Sequence, residues 1–168
     1  SRIETPGGQI TPASSVYFAL ALVLCGERGR RIYRSWLVEL FWPGEAPTQA
    51  RHNLRQLLYR LTHRNRVPLE VDGDSVLLAT EDVQFDYHDP SFDRGDGIEA
   101  AVANSGDIAV LPGYEGSISE DYRRWVQSFR ERAEGECRRQ LTVAIKKARA
   151  ESRWAQMERL SRHLLDLD

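Results

Sequence analysis

The stretch from Pro47 to Arg66 constrains the fold of this chain more than any other segment. When residues 49–64 are placed on a helical wheel at about 100° per residue, the apolar side chains fall on one face. Pro47 also favours a helix start, because proline is preferred at the first helical position. Such a face has to be buried, so the segment predicts a helix packed on a core. The face consists of Ala50, Leu54, Leu57, Leu58 and Leu61.

The opposite side of this predicted helix is basic and carries no acid. No aspartate or glutamate occurs from Thr48 to Val67, although a solvated helix of this length normally forms i,i+4 acid–base pairs. Arginine can bond guanine at two atoms and glutamine can bond adenine, while the other polar types contact phosphates or base edges. The pattern predicts a DNA-reading face, with a solvated basic helix as the alternative. The predicted contacts are Thr48, Arg51, His52, Arg55, Gln56, Tyr59 and His63.

Two further helices are predicted before this one. Thr11 and Pro12 form a favourable helix start, and the apolar run that follows ends at Gly26. Apolar side chains also recur at helical spacing over residues 34–42, where Pro43-Gly44 ends the helix. A short turn that contains proline and glycine therefore joins the second and third helices.

Short strands are predicted on both sides of the helices. Residues 2–10 read as a hairpin, and residues 69–79 read as another hairpin around Asp72-Gly73-Asp74. Residues 83–85 predict one more strand. The order helix, helix, helix, hairpin predicts a winged helix-turn-helix DNA-binding domain over residues 1–85, with helix 48–64 in the major groove.

Charge is distributed unevenly along the chain. The formal net charge of −2 by itself argues against a nucleic-acid binder. However, residues 27–66 contain nine arginines and three glutamates, whereas residues 70–121 contain fourteen acids and one arginine. A local positive field captures phosphate and can exist beside an acidic neighbour, so the distribution favours DNA binding by the first of these segments.

Arginines also cluster just before the predicted second helix. In a winged helix this region approaches the DNA backbone, so Arg34 is a predicted phosphate contact, with a solvated loop as the alternative. The hairpin that follows the third helix contains Glu70, Asp72 and Asp74, which phosphate would repel. We therefore do not expect this hairpin to insert deeply into a minor groove. The clustered arginines are Arg28, Arg30, Arg31 and Arg34.

Residues 86–168 have a different character. Residues 86–97 are acidic and rich in turn-forming types, and residues 98–104 predict a short helix. A long amphipathic helix is predicted from Ser119, with acids in its first turn, and a second helix follows residues 151–152. Two such helices predict one unit of a helical-repeat array, truncated at its C-terminal end. The expected fold class is mainly α with small β elements: a winged helix-turn-helix followed by an all-α tetratricopeptide-like domain.

These segments resemble a known family. Phe41-Trp42-Pro43 and residues 50–61 (Ala-Arg-His-Asn-Leu-Arg-Gln-Leu-Leu-Tyr-Arg-Leu) resemble the OmpR-type winged helix of the antibiotic-regulatory-protein class. Residues 106–114 and 122–132 resemble the bacterial transcriptional activator domain that follows it, and residues 163–168 resemble the end of a tetratricopeptide-like helix pair. The resemblance covers nearly the whole chain.

The resemblance implies a transcriptional activator that binds promoter repeats in double-stranded DNA. It further implies that the activator domain aids homodimer formation on DNA or contact with RNA polymerase. The main alternative is a protein-interaction scaffold with a degenerate winged helix, part of a larger multidomain signalling protein. The acidic hairpin and the net charge of −2 support that alternative. A small-molecule sensor is a weaker third option.

The sequence gives little support to other functions. No glycine-rich phosphate loop follows a strand and no nucleophile has a catalytic context, so we expect no enzyme and no cofactor. The histidines and acids show no metal-ligand spacing, so no metal site is expected. No apolar run reaches the roughly 18 residues of a membrane span. The two cysteines, Cys25 and Cys137, lack metal-site spacing, which favours a reduced cytoplasmic protein.

Overall fold

The computed structural model describes residues 1–13, 15–79, 83–85 and 110–166. The described residues form five helices and six strands and belong to two compact units. One unit lies within Ser1–Asp86 and Gly113–Gln127, and the other within Tyr87–Pro112 and Ser128–Asp168. Two small antiparallel sheets and a helical C-terminal region confirm the mainly α class with small β elements.

Several sequence predictions fall outside the described residues. They concern the acidic segment 86–97, the short helix over residues 98–104 and part of the segment 106–114. Within the described ranges, no helix combines the length and the apolar composition needed to cross a membrane.

Three helices lie in the N-terminal part of the first unit: α1 (Ser15–Gly26), α2 (Arg34–Phe41) and α3 (Pro47–His63). Helix α1 begins later than the predicted start at Thr11, because Ile10 is still paired in a sheet and the chain then needs a turn before the helix. Residues 17–25 of α1 are all buried. A helix that is apolar on every side forms the centre of a core.

Six strands form the two sheets, namely β1 (Ile3–Thr5), β2 (Gly8–Ile10), β3 (Arg31–Tyr33), β4 (Leu69–Asp72), β5 (Ser75–Leu78) and β6 (Gln84–Phe85). The strand orders are β2-β1-β6 and β3-β5-β4, and every pair is antiparallel. Strand β3 was not predicted, because three residues with a single buried side chain, Ile32, give too short an alternation to indicate a strand.

Helix α4 (Glu120–Ala150) begins next to the predicted start at Ser119, and its first residues belong to the first unit although the helix was expected within residues 86–168. The Ser119 hydroxyl accepts a hydrogen bond from the backbone N–H of Tyr122 (2.9 Å) and donates one to the Leu40 carbonyl. The Tyr122 side chain is fully buried, and its ring centroid lies 5.3 Å from that of Phe41. The indole N–H of Trp125 donates to the Glu27 carboxylate at 3.0 Å. These contacts place the first two turns of α4 in the core of the first unit.

The second unit contains the rest of α4, from Ser128, and helix α5 (Trp154–Asp166). Ser152 has a positive φ of 56°, and the Arg153 N–H donates to the Ala148 carbonyl at 2.8 Å, so the chain turns sharply between the two helices. Helix α5 packs back on α4 mainly through Leu160. The buried cluster comprises Cys137, Leu141, Ala144, Ala148 and Leu160.

Candidate nucleic-acid interface

The apolar face of α3 is buried as the periodicity predicts. Pro47 occupies a position at the start of the helix, and the helix packs against α2 and α1. Leu57 is the exception, because it lies at the edge of the face and is half-buried. The core therefore fixes the rotation of α3 about its axis. The buried members of the face are Ala50, Leu54, Leu58 and Leu61.

Every predicted contact residue on α3 is exposed. The spacing of these residues along the helix places most of them in one stripe, which we call the α3 polar stripe. It runs from the first turn of the helix to the last, a length of about 22 Å at 1.5 Å per residue. Arg51 lies at its margin. The stripe consists of Thr48, His52, Arg55, Gln56, Tyr59 and His63.

Three side chains at the middle of the stripe contact one another. The Arg55 guanidinium lies 3.3 Å from Nδ1 of His52, and the Gln56 amide nitrogen lies 2.8 Å from Nε2 of the same ring. A neutral imidazole accepts a hydrogen bond at one nitrogen only. At least one of the two donors is therefore left available to an external acceptor.

The last turn of the stripe presents a stacked pair of rings. The ring centroids of Tyr59 and His63 lie 3.9 Å apart with an interplanar angle of 19°, and 61% of the Tyr59 surface is exposed. His63 Nδ1 lies 3.0 Å from the Tyr59 carbonyl, which accepts a hydrogen bond when Nδ1 carries the proton. In that neutral form the other ring nitrogen is left as an acceptor.

Asn65 anchors the chain immediately after α3. This residue is only 6% exposed; its side chain accepts a hydrogen bond from the Tyr17 hydroxyl (2.5 Å) and donates one to Thr5 Oγ1 (3.2 Å). Its carbonyl accepts from the backbone N–H of Gly7 at 2.9 Å. Sequence reasoning missed Asn65, because its partners lie about 50 to 60 positions away in the chain and no local pattern relates them.

Tyr17 supports the same end of α3 in two ways. Burial raises the pKa of its hydroxyl, although the nearby Arg60 and Arg64 oppose this shift, so the hydroxyl stays protonated and donates to Asn65. The Arg60 guanidinium lies 4.6 Å from the centroid of the Tyr17 ring, a cation–π distance. Arg60 therefore helps to hold α3 against α1 through its contact with the Tyr17 ring.

The arginines that precede α2 are less available than those of α3. Arg28 donates to the Val83 carbonyl, Arg30 lies 3.6 Å from Glu27, and Arg31 pairs with acids of β4. The predicted phosphate contact Arg34 is half-buried at the start of α2. Its Nε is buried and makes no hydrogen bond to the described residues. Arg34 is therefore less exposed than the residues of the stripe.

The arginines of α3 itself contrast with this group. Within the described ranges, Arg51 and Arg55 form no ion pair with any acid, nor do Arg64 and Arg66 just after the helix. Four guanidinium groups that form no ion pair with a described acid therefore lie within 16 residues of sequence. Such a region generates the local positive potential that attracts a polyanion.

Comparisons with protein-family models, curated proteins and solved structures give no match for the chain. The resemblance to the antibiotic-regulatory-protein class therefore stays a prediction, and the function proposed below depends on the geometry of α3.

Proposed function

We propose that the chain is a sequence-specific DNA-binding regulator of transcription, an activator, that reads the major groove with α3. The observation that carries this proposal is the α3 polar stripe. It is exposed along its whole length, lacks any acid and lies on a helix whose opposite face is buried in a core. A helix in the major groove needs a polar face of this kind on a fixed support.

Each part of the stripe suits a different part of DNA. Arg55 and Gln56 have the donor geometry that bonds guanine and adenine edges, and both point away from the core. Arg51, at the margin, suits a phosphate of the groove wall. The stacked Tyr59 and His63 offer polar edges to either bases or phosphates.

The elements around α3 support a winged helix-turn-helix. Helix α2 packs against α3 after a short turn, and the β4–β5 hairpin follows α3 directly. Strand β3 pairs with β5 and runs straight into α2, which ties the hairpin to the helices. We further propose that the α4–α5 helix pair belongs to a tetratricopeptide-like activator domain that contacts a second copy on promoter repeats or RNA polymerase.

DNA binding is tested by fluorescence anisotropy with a labelled random duplex at low salt. We expect a dissociation constant on the order of 10⁻⁴ to 10⁻⁶ M at physiological salt, tighter binding at low salt, and a log–log salt slope of about 0.9 per phosphate contact. If tens of micromolar protein gave no signal even at low salt, the proposal would fail and the scaffold hypothesis would be favoured.

Base reading is tested on a duplex selected from a random library. Arg55→Ala should weaken binding by about 1–3 kcal/mol and relax the preference at one base pair. Arg139→Ala is the matched control, since Arg139 is an exposed helical arginine in the second unit. Equal binding by the parent and Arg55→Ala on both selected and random DNA would show that the stripe does not read bases.

A further inference from the structure

Arg31 lies on the outer face of the β3-β5-β4 sheet together with two acids. The strand register aligns Arg31 with Leu77 of β5 and aligns Leu77 with Glu70 of β4, so the three residues form one row across the sheet. The Arg31 guanidinium lies 3.7 Å from the Glu70 carboxylate and 3.8 Å from that of Asp72. We call Arg31, Glu70 and Asp72 the β-sheet clamp.

The side chains of the clamp are exposed to water, and Arg31 can exchange its carboxylate partners for another anion. The side chains of Arg31, Glu70 and Asp72 are 50%, 61% and 82% exposed, respectively. Exposed ion pairs at such distances are weak and are screened by salt. A guanidinium can form a pair of parallel hydrogen bonds with a phosphate, which competes well with two loosely placed carboxylates.

The charge of the clamp nevertheless opposes that exchange. One arginine faces two carboxylates, so the group is net negative, and exposed Asp74 in the adjoining turn adds to the negative field. Strand β3 leads directly into α2, against which α3 packs. If α3 docks as proposed for a winged helix, the phosphate backbone that it holds passes near the β4–β5 hairpin and meets the field of the clamp.

We infer that Arg31 is a latent phosphate contact, kept from the DNA backbone by its ion pairs with Glu70 and Asp72. This inference rests on the proposed DNA binding. The β4–β5 hairpin then acts as an autoinhibitory element, because it lowers the affinity for any duplex whatever its sequence. The contacts of α3 with bases then contribute a larger share of the binding free energy. Removing both carboxylate charges releases Arg31 and removes the repulsion together.

The test measures random-duplex affinity against salt concentration for four proteins: the parent, Glu70→Gln/Asp72→Asn, Arg31→Ala and the triple variant. The double variant should bind about tenfold more tightly near 0.1 M salt, with a log–log slope steeper by about 0.9, the value of one new phosphate contact. The triple variant should lose that extra slope. Arg31→Ala alone should leave the slope unchanged, because the parental Arg31 does not reach phosphate.

The control variant is Glu4→Gln. Glu4 is also a partly exposed acid paired with an arginine, Arg2 at 3.0 Å, but it lies in the other sheet of the same unit. It should leave the slope unchanged. Glu4→Gln removes one negative charge and the double variant removes two. A slope gain from Glu4→Gln of half that of the double variant or more would therefore overturn the inference, because the effect would then be one of net charge.

The remaining outcomes separate the two claims. If the parent binds DNA and the double variant has the same slope and affinity as the parent, the inference about Arg31 is overturned while the proposed DNA binding stands. If Arg31→Ala alone lowers the parental slope by about 0.9, Arg31 already contacts phosphate and the clamp is again overturned. If neither the parent nor the double variant binds any duplex, the proposed function fails and the inference fails with it.

Discussion

Helices α3 and α4 contain the same arrangement of side chains with one difference. His52, Arg55 and Gln56 in α3 have the same spacing as Glu136, Arg139 and Gln140 in α4. In α4 the carboxylate accepts hydrogen bonds from Arg139 Nε (2.8 Å) and from the Gln140 amide (2.7 Å). The hydrogen bond from Arg139 holds the pKa of Glu136 below its ordinary value.

His52 of α3 cannot accept hydrogen bonds from both neighbours as Glu136 does. A carboxylate has about four acceptor positions, whereas a neutral imidazole has one. The charge of Arg139 is therefore satisfied within its own helix, while Arg55 retains its capacity to bond an external group. Other basic residues of α4 and α5 follow the α4 pattern, with Arg123 2.6 Å from Glu120 and Arg162 2.5 Å from Glu158. A helix whose charged side chains pair with one another is stable in water. A helix whose charged side chains stay unpaired can bind a charged partner.

The largest expected effect concerns the support of α3 at its C-terminal end. A Cβ at Gly7 would lie 2.4 Å from the Arg64 carbonyl oxygen and 2.7 Å from Asn65 Cα, and neither backbone can move easily. Gly7→Ala should lower the free energy of unfolding by about 3 kcal/mol. Urea denaturation followed by tryptophan fluorescence measures the change.

The matched variant in α4 is Gly135→Ala. A Cβ at this helical glycine meets nothing within 4 Å. Alanine should raise the free energy of unfolding by roughly 0.5–1 kcal/mol, through helix propensity alone. If the two variants had equal stability, the end of α3 would not depend on the N-terminal hairpin.

The next effect converts the α3 arrangement into that of α4. His52→Glu places a carboxylate beside Arg55 and Gln56 and adds a negative charge to the stripe. Random-duplex affinity should fall by about 100-fold, because a like charge facing phosphate costs several kcal/mol. Stability should change little or rise by about 0.2–0.5 kcal/mol, the value of a helical ion pair.

Anisotropy titration and urea denaturation of the same variant separate the two readouts. The reverse exchange, Glu136→His, should leave DNA affinity unchanged. Parental affinity in His52→Glu would mean that His52 does not face the duplex, and the contrast between the helices would then carry no functional meaning.

The smallest effect measures the α4 arrangement itself. Glu136→Gln should cost about 0.5 kcal/mol at pH 7, since the pair is partly exposed. The folded pKa of Glu136 is lowered from its ordinary value of 4.5. The carboxylate therefore contributes stability above that value and loses it as the pH falls through the lowered pKa. Denaturation of parent and variant should show a larger difference at pH 7 than near pH 3; an equal cost at both would exclude the carboxylate as its source.

The sequence predicted the elements of the first unit better than their contacts. The buried face of α3 and the exposure of His52 and Arg55 follow from a 3.6-residue period, which is a local property. The pairing of Arg31 with Glu70 depends on β3, which is too short to predict. The Tyr122–Phe41 contact joins residues about 80 positions apart, so no spacing rule relates them. Periodicity indicates which side of a helix is buried, and only the fold shows what holds it.

The pairing of Ile3 with both Ile10 and Phe85 has a consequence for how the chain folds. The hairpin closes a loop of about 7 residues, whereas the contact with Phe85 closes one of about 80, at an additional entropic cost of about 2 kcal/mol. The helices between them have to collapse before this strand pair becomes favourable. The β2-β1-β6 sheet is thus finished late in folding, after the β1–β2 hairpin that contacts Asn65. During synthesis, this sheet can be completed only after Phe85 has left the ribosome.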